Sequence, residues 1–490
     1  MSFIRKKKMQ SGRVYAYEVT AVWDSEKKQS RAVSKYVGAC DTEGNIIPKG
    51  TKRTKADHRL ITDAFVAPQE KLIQDFGDGF LVQESIKKSV IYPHLESIFK
   101  DKPELLSLMS YRLCSPGPMY NCELWAQGNV AGTSLQGLKL SSQDISRLLG
   151  FLGEESLQRE FFKGYLDSSR CGTKNVIIDA TSLPCQNSSD FNAFGYSDGS
   201  IEEQFRFHCV LSQETKKPLF YRYVPGNIAD TSTLKATIEE LKALGVQHSQ
   251  HSFALLDAGY SSEANIKHLR EHHIDFLMRL PAGRVLYKET IANHYLELEA
   301  LENAVQYGKR SLFVKAHKID LYGEPGYIYT ILDPAKKTKD YSKLIATRAA
   351  NPKEIDEEAD NFAFKRSGIF TLISSRHIPE KEILEAYYTR QSIEQVFGFA
   401  KSDLDLLPIR CHSDKTIRGY LFLQFLLLIV FIELRERLSC HFTVEQALMT
   451  ARALKCKVYD NKMIIQELTK NQKKIFELAD IIVPKDGLGI

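Results

Sequence analysis

Three carboxylates and three companions carry the chemistry that the sequence offers: Asp179, Asp257 and Glu394, with Tyr387, Arg390 and Lys401. Asp179 closes the apolar run Val176-Ile177-Ile178, and Asp257 closes Phe253-Ala254-Leu255-Leu256, so each is read at the end of a buried strand. The other four lie on a segment of helical character, residues 382–401, with Pro379 just ahead of it. At about 100° per residue they share a stripe roughly 60° wide. Two Asp and one Glu supply the anionic oxygens that hold a pair of Mg²⁺ ions about 3.5–4 Å apart. One ion would activate water or a 3′-hydroxyl and the other would stabilise the leaving oxygen. On the same stripe Arg390 offers a fork and Lys401 a point charge to a phosphate backbone. Tyr387 could bond a phosphate or stack on a base.

Each feature also has a plainer reading. A strand-end aspartate often begins a loop or caps a helix, and a polar helix stripe is often a solvated face laced with i,i+4 pairs. Asn227 and Asp230 sit just before a helix, where capping is expected. His208 reads as a core or rim histidine, and His272-His273 as a helix end beside its own carbonyls. It is the arrival of all three carboxylates in one element order that favours catalysis.

That order runs as follows. A strand ends at Asp179, and an alternating strand with Phe205, Phe207, Cys209 and Leu211 pairs with the strand over 219–224. A helix carries Leu234, Ile238 and Leu241 and stops at Gly245. Then come the strand ending at Asp257, a helix over 262–272, and a strand over 275–280. Three meandering strands, helix, strand, helix, strand is the order of a ribonuclease H-like α/β domain, in which the first and fourth strands are neighbours. The expected fold class is therefore α/β, with a ribonuclease H-like core, a β-rich insertion, and a small β element and a helical domain ahead of it. The domain boundaries expected are 1–55 (basic, β-rich), 56–168 (helical, DNA-binding, with a capping box at Ser141 and Asp144), and 169–284 (first part of the core). They continue with 285–367 (β-rich insertion with a charged loop), 368–435 (second part of the core, with the Glu394 helix) and 436–490 (helical).

The spacing Tyr-x2-Arg-x3-Glu-x6-Lys at Tyr387, Arg390, Glu394 and Lys401 resembles the motif of DDE transposases encoded by bacterial insertion sequences. Flanking blocks are similar too: Asp179-Ala-Thr-Ser182, Gly226-Asn227 through Asp230, and Asp257-Ala-Gly-Tyr260. The resemblance covers about residues 170–435. It implies Mg²⁺ or Mn²⁺ as cofactor, double-stranded DNA with inverted-repeat ends and target DNA as partners, and a homodimer in the DNA complex. Cut-and-paste movement is the implied activity, and a hairpin step comes from the resemblance alone. Two other functions are alternatives: a metal-dependent nuclease that keeps the same centre without strand joining, and a transposase-derived DNA-binding protein that uses only its basic N-terminal unit.

The bulk properties fit a soluble globular protein of the cytoplasm, and the resemblance implies association with the nucleoid when bound to DNA. Of 490 residues 43% are hydrophobic and 26% charged, and the net charge is only +5. Residues 1–60, however, hold fourteen Lys and Arg against six Asp and Glu, which suits either a solvated tail or a DNA contact. The basic cluster Arg5 to Lys8 is followed by Gln10, Ser11 and Gly12, not by the apolar stretch of a signal peptide. The longest apolar run, 420–434, contains Gln424 and Glu433 and is short of the roughly 20 residues that cross a bilayer, so a buried core helix is expected. Nine cysteines without a C-x-x-C pair favour reduced thiols.

Overall fold

The computed structural model describes residues 2–9, 14–24, 28–41, 44–48, 72–100, 102–133, 139–168, 174–185, 189, 191–197, 200–246, 252–350, 357–459 and 462–484. The chain divides into two compact units, Met1–Leu72 and Ile73–Ile490; the expected boundary at 55/56 lies outside the described residues. The first unit is an antiparallel meander of β1 (Ser2–Lys8), β2 (Val14–Asp24), β3 (Gln29–Cys40) and β4 (Ile46–Pro48), paired in chain order. Tyr36 of β3 packs edge-on against Tyr15 and Tyr17 of β2, the cross-strand aromatic contact that stabilises such a pair.

After a short strand that ends at Asp75, the main helices in the first part of the second unit are α1 (Gly77–Lys87), α2 (Tyr92–Phe99), α3 (Pro103–Cys114), α4 (Cys122–Gly128), α5 (Ser142–Leu152) and α6 (Glu155–Ser168). Ser141 caps α5 by accepting from the Asp144 N–H, as its spacing predicts. The sheet follows: β5 (Asn175–Pro184), β6 (Ala193–Ser197), β7 (Ser200–Ser212) and β8 (Pro218–Pro225), then α7 (Asp230–Ala243), β9 (Ser252–Leu256), α8 (Glu263–Glu271) and β10 (Ile274–Leu280). β7 pairs antiparallel with β5 on one side and with β6 and β8 on the other. β9 lies parallel between β5 and β10. The central strands are apolar along their length because neighbouring layers cover both of their faces; all five residues of β9 are buried.

Beyond β10 the chain forms α9 (Val285–His294), β11 (Ala304–Tyr307), β12 (Arg310–Asp320), β13 (Pro325–Leu332), α10 (Pro334–Ala350), α11 (Glu357–Lys365) and β14 (Ile369–Ser374). Two features differ from the sequence reading. The insertion strands do not stand apart: β14, buried throughout, pairs with β10 on one edge and β13 on the other, so β11–β13 prolong the central sheet. A single apolar strand with two paired edges leaves no gap at which an insertion could separate. The charged stretch expected as a loop contains the helices α10 and α11. Its start signal is Asp333, whose Oδ1 accepts from the N–H groups of Ala335 and Lys336, followed by Pro334 in the first turn and a run of good helix formers.

The chain ends with α12 (Ile383–Tyr388), α13 (Gln391–Gly398), α14 (Asp414–Leu438), α15 (Val444–Arg452), a hairpin of β15 (Lys455–Tyr459) and β16 (Lys462–Ile465), and α16 (Lys470–Leu478). α14 holds the long apolar run and is a core helix, with 94% of its most apolar stretch buried. Glu433, inside that stretch, is paired with Lys217 at 2.9 Å. α14 crosses α5 at glycines: a Cβ on Gly419 would lie 1.8 Å from the Leu149 carbonyl oxygen, and one on Gly153 would lie 1.9 Å from that of Lys415. Gly419→Ala should therefore destabilise the protein by at least about 1–3 kcal/mol in urea unfolding, since rigid backbone must move. Gly150→Ala, with nothing within 4 Å of its added methyl, should be neutral or slightly stabilising.

Candidate active site

The parallel register sets Leu256 of β9 opposite Ile178 of β5. The next residues, Asp257 and Asp179, are thereby brought to the same level of adjacent strands although 78 positions separate them in sequence. Asp179 is 8% exposed, and its Oδ1 accepts from the Ala180 N–H at 2.8 Å. In the turn after Asp257, Gly259 packs closely on the Asp230 carboxylate: a Cβ there would lie 2.8 Å from Asp230 Oδ2. Tyr260 follows, buried, with its hydroxyl 2.8 Å from His208 Nδ1.

Arg390 joins the carboxylates. Its Nη1 donates to Asp179 Oδ2 at 2.8 Å and lies 3.3 Å from Asp257 Oδ1, while Nη2 donates to Glu394 Oε1 at 2.7 Å. Asp179 does not end its strand, as the sequence suggested, but lies midway along β5, which runs on to Pro184 because its pairing with β7 continues that far. Three carboxylates from the middle of one strand, the end of the next and a helix thus surround a single cation. The donor set is made of carboxylate oxygens, the composition that suits a hard divalent ion such as Mg²⁺ or Mn²⁺.

The helix over 382–401 is not continuous. α12 and α13 are separated at Thr389-Arg390, where the backbone stays in the right-handed region, and residues Phe399–Asp403 form a π-turn. The hydroxyls of Thr389 and Ser392 bond the carbonyls of Glu385 and Thr389, which offers the backbone an alternative to regular helix bonding. The π-turn carries Lys401, whose Nζ donates to Thr181 Oγ1 at 2.8 Å on β5. Tyr387 is buried between Phe370 and Tyr388 and lines a cavity of about 220 Å³ with Glu394 and four cationic side chains, Arg279, Arg310, Lys336 and Arg390. Arg310 lies over the Tyr388 ring, which itself stacks on Tyr307.

All six residues expected from the sequence are found on these facing elements, but their neighbours were not all foreseen. Asp230 is no helix cap. The N-cap of α7 is Ala229, and the Asp230 carboxylate accepts from Arg206 Nε and Nη2 at 2.5–3.2 Å. Arg206 Nη1 reaches Ser182 on β5. The alternation of β7 marked Arg206 as facing away from the apolar side but could not name its partner. Arg279 had a fainter signal, as the exposed residue of an otherwise largely buried strand. Asn227 is exposed and takes no part. His208 is a core residue, as expected: burial depresses its pKa to about 4 despite the carboxylate of Asp230.

A family model described as "Transposase DDE domain" matches residues 170–430, more than half of the chain, and the protein belongs to that family of enzymes. No curated protein matches the sequence. Among solved structures, the chain is similar to one in the cryo-EM structure of a piggyBac transposase synaptic complex with hairpin DNA. The identity is 10% and the TM-score 0.38, over 82% of this chain and 69% of that one.

Burial pushes the Asp179 carboxyl up to about 7, with Asp257 adding to the rise and Arg390 opposing it. A raised acid pKa stabilises the fold below the ordinary carboxylate range, and that contribution is lost as pH climbs through the folded value. In metal-free buffer the melting temperature should fall between about pH 4 and pH 7 through this group. Asp179→Asn should flatten that segment of the profile; an unchanged slope in the variant would show that another group causes it.

Proposed function

We propose that the protein is a cut-and-paste transposase of a bacterial insertion sequence, with Asp179, Asp257 and Glu394 as the catalytic, metal-binding carboxylates of a ribonuclease H-like core. The observation that carries this reading is the convergence of the three on one guanidinium, that of Arg390. The strand order β8-β7-β5-β9-β10 and the spacing Tyr387-x2-Arg390-x3-Glu394-x6-Lys401 support it. Two divalent ions held by these oxygens would activate the attacking hydroxyl and stabilise the leaving oxygen at the scissile phosphate.

The protein's own groups do the rest. Arg390 holds the carboxylates together and turns its planar fork toward a phosphate when an ion takes over their charge. Lys401, held by Thr181, sets a positive charge beside β5 where the DNA backbone passes. The cavity beside Tyr387, with its four cations, accepts a phosphate next to the cut. Double-stranded DNA is the partner, the element ends and the target in turn. A homodimer holds both ends during joining, in the cytoplasm at the nucleoid. We assign DNA recognition to the basic residues 1–55 and the helices of 56–168, and phosphodiester transfer to the split core of 169–284 and 368–435.

The test uses the full-length protein with Mg²⁺ and DNA from either side of its gene. Cleaved and joined products are expected, and Asp179→Asn, Asp257→Asn and Glu394→Gln should each lower the rate by at least about 10³-fold. Wild-type rates in any of the three would sink the assignment. Cleavage without joined product would favour a nuclease. Lys401→Ala should weaken DNA binding across sequences and reduce the salt slope by about one; an unchanged slope would remove Lys401 from the DNA contact.

A further inference from the structure

A second cluster of ligand-forming side chains lies where α7 and α8 pack together. Glu239 comes from the C-terminal half of α7, while His268 and His272 come from the last turn of α8 and its C-cap. The i,i+4 spacing sets the two histidines on one face of α8, with ring centroids 4.4 Å apart. Glu239 Oε1 is 3.1 Å from His272 Nε2 and 3.7 Å from His268 Nε2. One ligand atom from each residue lies within 4.8 Å of the others.

His268 is the informative member. It is 5% exposed, yet its Nε2 makes no hydrogen bond, and a buried polar atom left without a partner is costly. That nitrogen faces Glu239 at a distance too long for a hydrogen bond. Its other ring nitrogen, Nδ1, lies 3.6 Å from the Glu271 carboxylate, also beyond hydrogen-bond length.

We propose that Glu239, His268 and His272 form a zinc site, separate from the carboxylate centre, with three protein ligands and one position left to water. Imidazole nitrogens with one carboxylate oxygen suit Zn²⁺ and not Mg²⁺. Tetrahedral Zn²⁺ with bonds of about 2.0–2.2 Å sets its ligand atoms roughly 3.3–3.5 Å apart. The observed 3.1 and 3.7 Å from Glu239 lie on either side of that spacing, and the two imidazole ligand atoms lie within 4.8 Å of each other. An ion there fastens the C-terminal part of α7, whose first residue is Asp230, to that of α8, which follows the Asp257 turn. It acts as a clip on the scaffold behind two acidic residues of the candidate active site. The inference rests on the local geometry and does not depend on the reaction proposed above.

The experiment takes the full chain without an affinity tag, strips it with chelator, and titrates it with Zn²⁺ and with Co²⁺ in excess Mg²⁺, which occupies carboxylate-only sites. Wild type should bind Zn²⁺ with a rise in melting temperature, and Co²⁺ should give the strong visible absorption of four-coordinate nitrogen and oxygen ligation. Glu239→Gln and His272→Gln, at positions more exposed than His268, should keep the wild-type circular dichroism, bind Zn²⁺ at least about 10-fold more weakly and lose the cobalt band. Equal affinity and equal spectra in wild type and both variants, or no zinc uptake by wild type, would overturn the proposal.

Discussion

Carboxylates repel one another, and this protein gathers three of them over two central strands of its sheet. Two like charges 4 Å apart repel by about 4 kcal/mol at an effective dielectric of about 20, and burial of Asp179 adds a desolvation cost to the repulsion. Arg390 resolves the conflict by contacting all three carboxylates with one planar group. The surrounding architecture serves that contact. Adjacent parallel strands carry the two aspartates to one level, the broken helix α12–α13 delivers arginine and glutamate from the facing side, and the π-turn returns Lys401 to β5. In the reaction proposed above, this arginine stands where a more highly charged ion would take over the charge of the three acids.

The scaffold around this point is stiffer than a catalytic loop would be. Asp230 is fixed by Arg206, which is tied to Ser182 on β5, and Gly259 permits the close approach of the Asp257 turn to Asp230. His208 and Tyr260 fill the space beneath with a buried hydrogen bond. Prolonging the sheet through β14 and β13 has a further consequence. It places Arg310 and the Tyr307–Tyr388 stack beside the carboxylates, so the inserted segment supplies part of the cationic cavity at Tyr387.

Much of the core was legible because its signals are local. The apolar runs before Asp179 and Asp257 name buried strands, the spacing around Leu234 names a helix, and the stripe from Tyr387 to Glu394 names a face. The path of the insertion was not legible, since pairing between β13 and β14 depends on edges that the sequence does not specify. The helices α10 and α11 were misread as a loop because charge outweighed the Asp333-Pro334 start signal. Asp230 was misread as a cap because its position before a helix is a local fact, whereas its partner, Arg206, lies 24 residues earlier on another strand.

By itself the sequence determined which residues can do chemistry, the order of the elements that carry them, and, through four residues at fixed spacing, the resemblance to a transposase. Those properties reside in side-chain type and in periods of two or 3.6 residues, which short segments record in full. Only the tertiary structure decided that one arginine binds all three carboxylates, that Tyr387 is buried beside a cavity instead of lying on an open face, and that Glu239 meets His268 and His272. Such meetings depend on sheet register and on the angles between packed helices, which arise when distant segments bury their apolar surfaces against one another, and no local pattern encodes them.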